Sequence, residues 1–276
     1  MASLKLSPMF PAVSRHFRPA RPCLLPCSKT MACCALVWGI SGLGVAASIG
    51  AQTAAPVVPP FSAMATGTVP LPWHFATLPR KKSTEFSVAP LDGQQVLRVH
   101  TLDAYGNLVL PLPAGSPGST AHQLHWRWRV DQAVQGADLR QRAGDDAALK
   151  LCVSFDFDAR QLSWGERTKL RLGQVATGEP IPTETLCYVW DGQLPAGSVL
   201  HSPFTHRLRY LVLHSSQAPL GHWQEERRDL AADYARAFGD ESPQGMPALT
   251  AITVSADADN THNEGLAYLG DIHLLP

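Results

Sequence analysis

The chain has 276 residues, enough for one or two domains. Its 23 basic and 23 acidic residues cancel, but unevenly: no Asp or Glu precedes Glu85, and residues 30–79 carry no charged side chain. A chain without a basic excess is a poor candidate for generic nucleic-acid binding.

The N-terminal stretch carries Lys5, Arg15, Arg18, Arg21 and Lys29, then an apolar run at residues 35–51, ALVWGISGLGVAASIGA. A basic segment, an apolar segment and small residues at its end are the parts of a secretory signal. Residues 1–51 are therefore predicted as a signal peptide and the remainder as periplasmic or secreted. The alternative is an uncleaved anchor in the inner membrane, because the uncharged stretch exceeds the roughly 20 residues a bilayer-spanning helix needs. Membrane contact is expected only through this segment.

Taking the five named basic residues from 23 leaves 18 against 23 acidic ones, a net charge of −5. That is a further reason to expect no nucleic-acid partner. Cys23, Cys27, Cys33 and Cys34 also fall in the leader, leaving Cys152 and Cys187. In an oxidising compartment these form a disulfide or remain two buried thiols. Residues 52–70 are rich in Ala, Pro and Thr without periodicity, and are predicted as a disordered linker before a domain spanning 71–276.

Within that domain, short alternating runs are broken by Gly, Pro and Asp. Residues 84–88 and 96–101 flank an Asp92-Gly93 turn, the signature of a hairpin. Further strands are predicted at 107–112, 124–130, 148–157, 185–190, 208–214, 249–255 and 266–275. Residues 163–169, SWGERTK, read as a polar loop. One amphipathic helix is predicted at 228–238, with Leu230, Tyr234, Ala237 and Phe238 on one face, Asp233 and Arg236 paired on the other, and Gly239 as its stop. The pattern predicts an all-β fold, an antiparallel β-sandwich or jelly roll with one short helix.

Strand alternation assigns faces. Leu124, Trp126, Trp128 and Val130 share one face, and His125, Arg127, Arg129 and Asp131 the other. Leu149, Leu151, Val153, Phe155 and Phe157 make a core face opposed by Lys150, Cys152, Ser154, Asp156 and Asp158. Leu208, Tyr210 and Val212 oppose Arg207, Arg209 and Leu211. One sheet is thus expected to carry a polar face with several arginines.

Several motifs occur in order: LHWRWRV at 124–130, GDD at 144–146, CYVW at 187–190, PLGHWQEERRDLAADY at 219–234, AFGDE at 237–241, DADNT at 257–261 and YLGDI at 268–272. On these the chain resembles the bacterial exported family known as domain of unknown function 3047, from about Trp73 to the end. The resemblance implies export and a β-rich domain, and transfers no catalytic residue. Cys187 stands where that family usually has Asn before YVW, and Ala258 where it usually has Thr.

Candidate chemistry is sparse. Asp257, Asp259 and Asn260 present closely spaced oxygen ligands suited to Ca²⁺, or else form a polar turn. Asp145 and Asp146 offer similar ligands, or pair with Arg127 or Arg129. Asp156 and Asp158 are a carboxylate pair of the kind glycoside hydrolysis uses, or a solvated strand end. Trp164, in its polar loop, is placed to stack on a sugar ring, whereas Trp126 and Trp128 fill the core. Arg127, Arg129, Arg207 and Arg209, with His125 and Lys150, either recognise an anionic ligand through their planar forks or are consumed by Asp131, Asp145, Asp146 and Asp156. No H-E-x-x-H, G-x-S-x-G or phosphate-binding loop is present. Three functions fit: a non-enzymatic envelope module binding a carbohydrate or other polar or anionic ligand, a carbohydrate-active lyase or hydrolase, and a structural envelope protein.

Overall fold

The computed structural model describes residues 57–276 apart from Glu179 and Pro243. The predicted signal segment, 1–51, lies outside the described residues, as do residues 52–56.

In chain order the first strands are β1 (His74–Ala76), β2 (Glu85–Leu91), β3 (Gln94–Leu102), β4 (Tyr105–Pro111) and β5 (Gln123–Gln132). After β6 (Ala147–Phe155) come helix α1 (Trp164–Thr177), β7 (Glu184–Trp190), β8 (Val199–His201) and β9 (Leu208–His214). The chain continues through β10 (Gln224–Asp229), helix α2 (Leu230–Phe238), β11 (Leu249–Asp257), β12 (Glu264–Leu269) and β13 (His273–Leu275). A seven-stranded sheet runs β1-β4-β11-β6-β7-β9-β8, and a six-stranded sheet runs β10-β5-β12-β3-β2 with β13 also paired to β5.

The all-β sandwich follows from the alternation seen in the sequence. Leu124, Trp126, Trp128 and Val130 point inward from β5, each buried between exposed or half-buried neighbours. Trp126 meets Tyr188 of β7 at 5.1 Å between ring centroids, and Trp128 meets Trp190 at 6.1 Å, which joins the two sheets through aromatic contacts. One pairing departs from the antiparallel expectation: β7 and β9 are parallel. After β7 the chain runs out to the edge as β8, and β9 returns into the gap between them, in the direction of β7.

Strand β6 is buried on both faces. Its outward side carries Cys152, which is disulfide-bonded to its cross-strand partner Cys187. With Leu139, Val189, Tyr210 and Val212 these cysteines form a second, smaller core on the outside of the seven-stranded sheet. The Leu208/Tyr210/Val212 row therefore faces apolar cover, and the Arg207/Arg209 row faces α2.

The short edge strands β1 and β8 were not foreseen, nor were α1 and β10. Residues 163–169 are not a loop but the cap and first turns of α1. Ser163 and Glu166 form a reciprocal capping box, and Gly178 closes the helix in the left-handed region at φ 74°. Strand β10, QEERRD, lacks an apolar face altogether. Its inward side chains are polar: Glu226 accepts from Trp128 Nε1 at 3.1 Å, and Arg228 donates to Asp233 at 2.8 Å. The predicted helix therefore starts two residues later, at Leu230, capped by Asp229, which accepts from Ala232 N. Asp233 is not on the polar side beside Arg236. It is buried, accepts also from Tyr188 Oη at 2.9 Å, and leaves Arg236 to bond the Gly197 carbonyl.

Residues 57–70, expected as linker, belong to the fold. Phe61 is fully buried and stacks on Trp73 at 5.5 Å; Val58 and Val69 are buried beside it. Ser62 donates from N and Oγ to Asp271, 2.9 and 2.5 Å, and Gly67 bridges to Val88 of β2. Composition misleads here because the apolar anchors are few and separated by Pro and Ala. Burying Phe61 contributes about 1.5–3 kcal/mol, to which buried Val58 and Val69 and the bonds to Asp271 and Val88 add.

Candidate functional site

The outward face of the six-stranded sheet is polar. Strand β5 contributes His125, Arg127, Arg129 and Asp131, as its alternation predicts. Register then sets their neighbours. Glu225 lies opposite Arg127 and Arg227 opposite His125 on β10. On the other side of β5, His273 lies opposite His125 and Tyr268 opposite Arg129. Arg98 of β3 stands beyond Tyr268. Directly opposed side chains on such strands sit with Cβ atoms about 4.5–5.5 Å apart, so these form continuous rows across the sheet.

The two predicted arginines on this face are held in place by the β2–β3 hairpin tip. Arg127 lies over the Trp223 ring, 4.6 Å from its centroid, and donates to Gln94. Trp223 Nε1 donates to Asp92 at 2.9 Å, and Arg129 reaches the same carboxylate at 3.3 Å while pairing with Asp131 at 2.6 Å. The hydrogen bonds to Asp131 hold the Arg129 guanidinium above its ordinary pKa. Gly270 is needed here, because a Cβ at that position would fall 2.7 Å from the Arg127 side chain.

Beside this framework is a cavity of about 310 Å³. Ser62, Gln94, Gln95 and Asp271 form part of its wall; His125 and Arg127 come from β5, Glu225 and Arg227 from β10, and His273 from β13. Among the described residues, the side chains of His125, Glu225, Arg227 and His273 make no hydrogen bond or ion pair. Asp271, by contrast, is occupied by Ser62.

The other predicted site residues lie elsewhere, and the four arginines do not share a face. Arg207 and Arg209 stand on the seven-stranded sheet, buried. Arg207 reaches Glu184 at 3.2 Å and Glu166 of α1 at 3.3 Å, and also pairs with Glu241. Arg209 pairs with Asp240 at 3.0 Å and with Glu241, and donates to the Ala237 carbonyl. They fasten α1 and the end of α2 to the sheet. Burial pushes the Glu184 carboxyl up, against the hydrogen bond from Tyr234 and the charge of Arg207. Trp164 is 77% exposed at the start of α1 and does not line the cavity.

The residues of the expected calcium loop are engaged by other groups of the chain. Asp257 accepts from Lys150 Nζ and from Ala147 N, both at 2.8 Å, and Asp259 pairs with Lys81. Asn260 donates to Asp146 at 2.9 Å and to the Asp145 carbonyl at 3.2 Å. The cations here are lysines of the chain itself, and no group of three metal-ligating side chains is gathered among the described residues. Burial pushes Asp257 up to about 6, opposed by Lys150. Burial also pushes Lys150 down, but Asp257, Tyr210 and Asp145 outweigh it and hold the ammonium well above its ordinary value.

Asp145 and Asp146 do not meet Arg127 or Arg129. Asp145 accepts from Tyr210 Oη at 2.8 Å and Ser202 Oγ at 3.2 Å, and Asp146 accepts from Thr261. Asp158 is spent on Arg160 and on capping a short turn, and Asp156 is exposed, so they form no catalytic pair at the cavity.

Glu225, Arg227, His273 and Asp271 were missed as site residues. The signal for Glu225, Arg227 and His273 is register: each lies across from a residue of β5 that the alternation had already placed outward. Arg227 was also obscured by the charge run of β10.

Sequence comparison matches residues 71–273 to the family described as protein of unknown function, DUF3047. The chain belongs to this family. No curated protein matches this DUF3047 chain. Among solved structures, the K2 cleaved adhesin domain of Lys-gingipain is similar at 11% identity and TM-score 0.36, covering 79% of this chain and 98% of the other. Trichoderma harzianum endoglucanase 3, of family GH12, gives 9% identity and TM-score 0.38, covering 76% and 92%. A loop-swap mutant of Necallimastix patriciarum Xyn11A gives 12% and 0.29, covering 77% and 97%.

Proposed function

We propose that this DUF3047 domain is an exported, non-enzymatic binding module that holds a carbohydrate or other polar ligand on the outward face of its six-stranded sheet. One observation carries the reading. A cavity of about 310 Å³ is lined by unpaired His125, Glu225, Arg227 and His273 beside an Arg127 fixed by Trp223 and Gln94. Its size falls at the lower end of the roughly 300–1,000 Å³ typical of small-ligand sites. Polar groups that fold-internal contacts have not consumed are what ligand recognition requires, and the ordered Arg127 reduces the entropy lost on binding. Export rests on the basic-then-apolar leader at 1–51.

The test is isothermal titration of the protein against a glycan panel. Arg127→Ala and Trp223→Ala should each weaken binding at least tenfold, while Trp164→Ala leaves it unchanged. Loss of binding in Trp164→Ala alone would move the site to α1.

A second reading, a glycan-cleaving enzyme, has one specific support: Glu225 and Asp271 both line the cavity. Against it, Asp271 accepts two bonds from Ser62. Product release from the panel that disappears in Glu225→Gln would favour the enzyme.

A further inference from the structure

We infer that the ligand bears an oxyanion, and that the row Arg227–His125–His273 is its subsite. The inference rests on the reading of this face as the binding face, and specifies which end of it takes which chemistry. The row crosses three adjacent strands in register, Arg227 of β10 opposite His125 of β5, and His125 opposite His273 of β13. All three side chains line the cavity.

Among the described residues no carboxylate of the chain neutralises the row. Arg129 is paired with Asp131 and Asp92, and Arg207 and Arg209 with Glu184, Glu241 and Asp240. Arg98 has Glu85 at 3.7 Å. Arg227, His125 and His273 have no such partner among the described residues. Of the carboxylates at the cavity, Asp271 is satisfied by Ser62. Glu225 lies two residues along β10 from Arg227, opposite Arg127. The free donors therefore collect at one end of the cavity, and Glu225 limits the anion to that end.

The chemistry of the row suits one planar or tetrahedral oxyanion. Arg227 offers a guanidinium fork that can grip two oxygens, and each imidazole presents an N–H in either protonation state. A carboxylate, sulfate or phosphate ester on a sugar shares this chemistry. The cavity extends from the row to Arg127, which leaves room for the neutral part of such a sugar.

The experiment is titration of the full chain with oligogalacturonate, its neutral methyl ester, a sulfated oligosaccharide and inorganic phosphate. Arg227 and His273 are exposed, so Arg227→Ala and His273→Ala should fold, with circular dichroism as the check. At least one of the anionic probes should bind, with a loss of tenfold or more in each variant and in rising salt. If oligogalacturonate is the ligand, its methyl ester binds at least tenfold more weakly. The sulfated probe and phosphate arms identify which oxyanion is preferred. Neutral and anionic probes binding alike, with both variants unaffected, would overturn the oxyanion subsite. If Arg127→Ala and Trp223→Ala still abolish that binding, the face stands and only the anion falls. If they do not, or if no probe binds, both readings fall.

Discussion

Lys150 and Asp257 are each almost fully buried and meet at 2.8 Å on the outward side of the seven-stranded sheet. Removing one partner of such a pair strands a charge and typically costs about 3–5 kcal/mol, whereas removing both costs far less. Lys150→Met should therefore destabilise strongly, and Lys150→Met/Asp257→Leu should recover most of the loss in urea unfolding. A double variant that loses as much as the two single variants added together would mean the pair is not coupled. Asp138 makes a different prediction. Its hydrogen bonds from Arg140 lower the carboxyl from 3.8 to about 2. A depressed carboxylate adds stability that is full above the unfolded value and is lost as pH falls through the folded one. Stability of the wild-type chain should thus fall between pH 4 and pH 2 by more than that of Asp138→Asn, which is already weaker at pH 7. Parallel acid limbs in thermal melts would contradict this.

At the level of elements, strands with an apolar side were legible and strands without one were not. β5 and β6 follow from alternation, and α2 from its apolar stripe. β10 could not be found by that route, because both its faces are charged and its inward residues are satisfied by Trp128 and Asp233. α1 was read as a loop because it buries no large apolar side chain and its Leu172 and Val175 are exposed; the Ser163/Glu166 capping pair was the one signal that could have found it. The linker reading failed because a few buried side chains, Val58, Phe61 and Val69, outweigh an Ala/Pro-rich composition. Phe61→Ala should cost about 3–5 kcal/mol, the usual range for a buried Phe. A change below 1 kcal/mol would show the segment to be dispensable. The Cys152–Cys187 disulfide closes a 35-residue separation, so replacing both cysteines with Ala should cost about 2–5 kcal/mol. An unchanged unfolding midpoint would argue against a stabilising bond.

For the whole molecule, the sandwich divides its charges between two sheets. The seven-stranded sheet spends its buried arginines and lysines on carboxylates of the same chain, Arg207 on Glu184 and Lys150 on Asp257. The six-stranded sheet spends Arg98, Arg129 and Arg228 in the same way, but leaves Arg227, His125 and His273 without a partner among the described residues around a cavity. Sequence placed Arg127 and Arg129 outward but merged them with Arg207 and Arg209, because alternation reports the face of a strand and not the sheet it joins. The claim that the ligand face is the outward side of the six-stranded sheet is tested most directly by hydrogen–deuterium exchange, with and without a glycan found to bind. Protection should appear at residues 123–129, 224–229 and 270–275. Protection confined to α1, or to the outer side of β6 and β7, would contradict it.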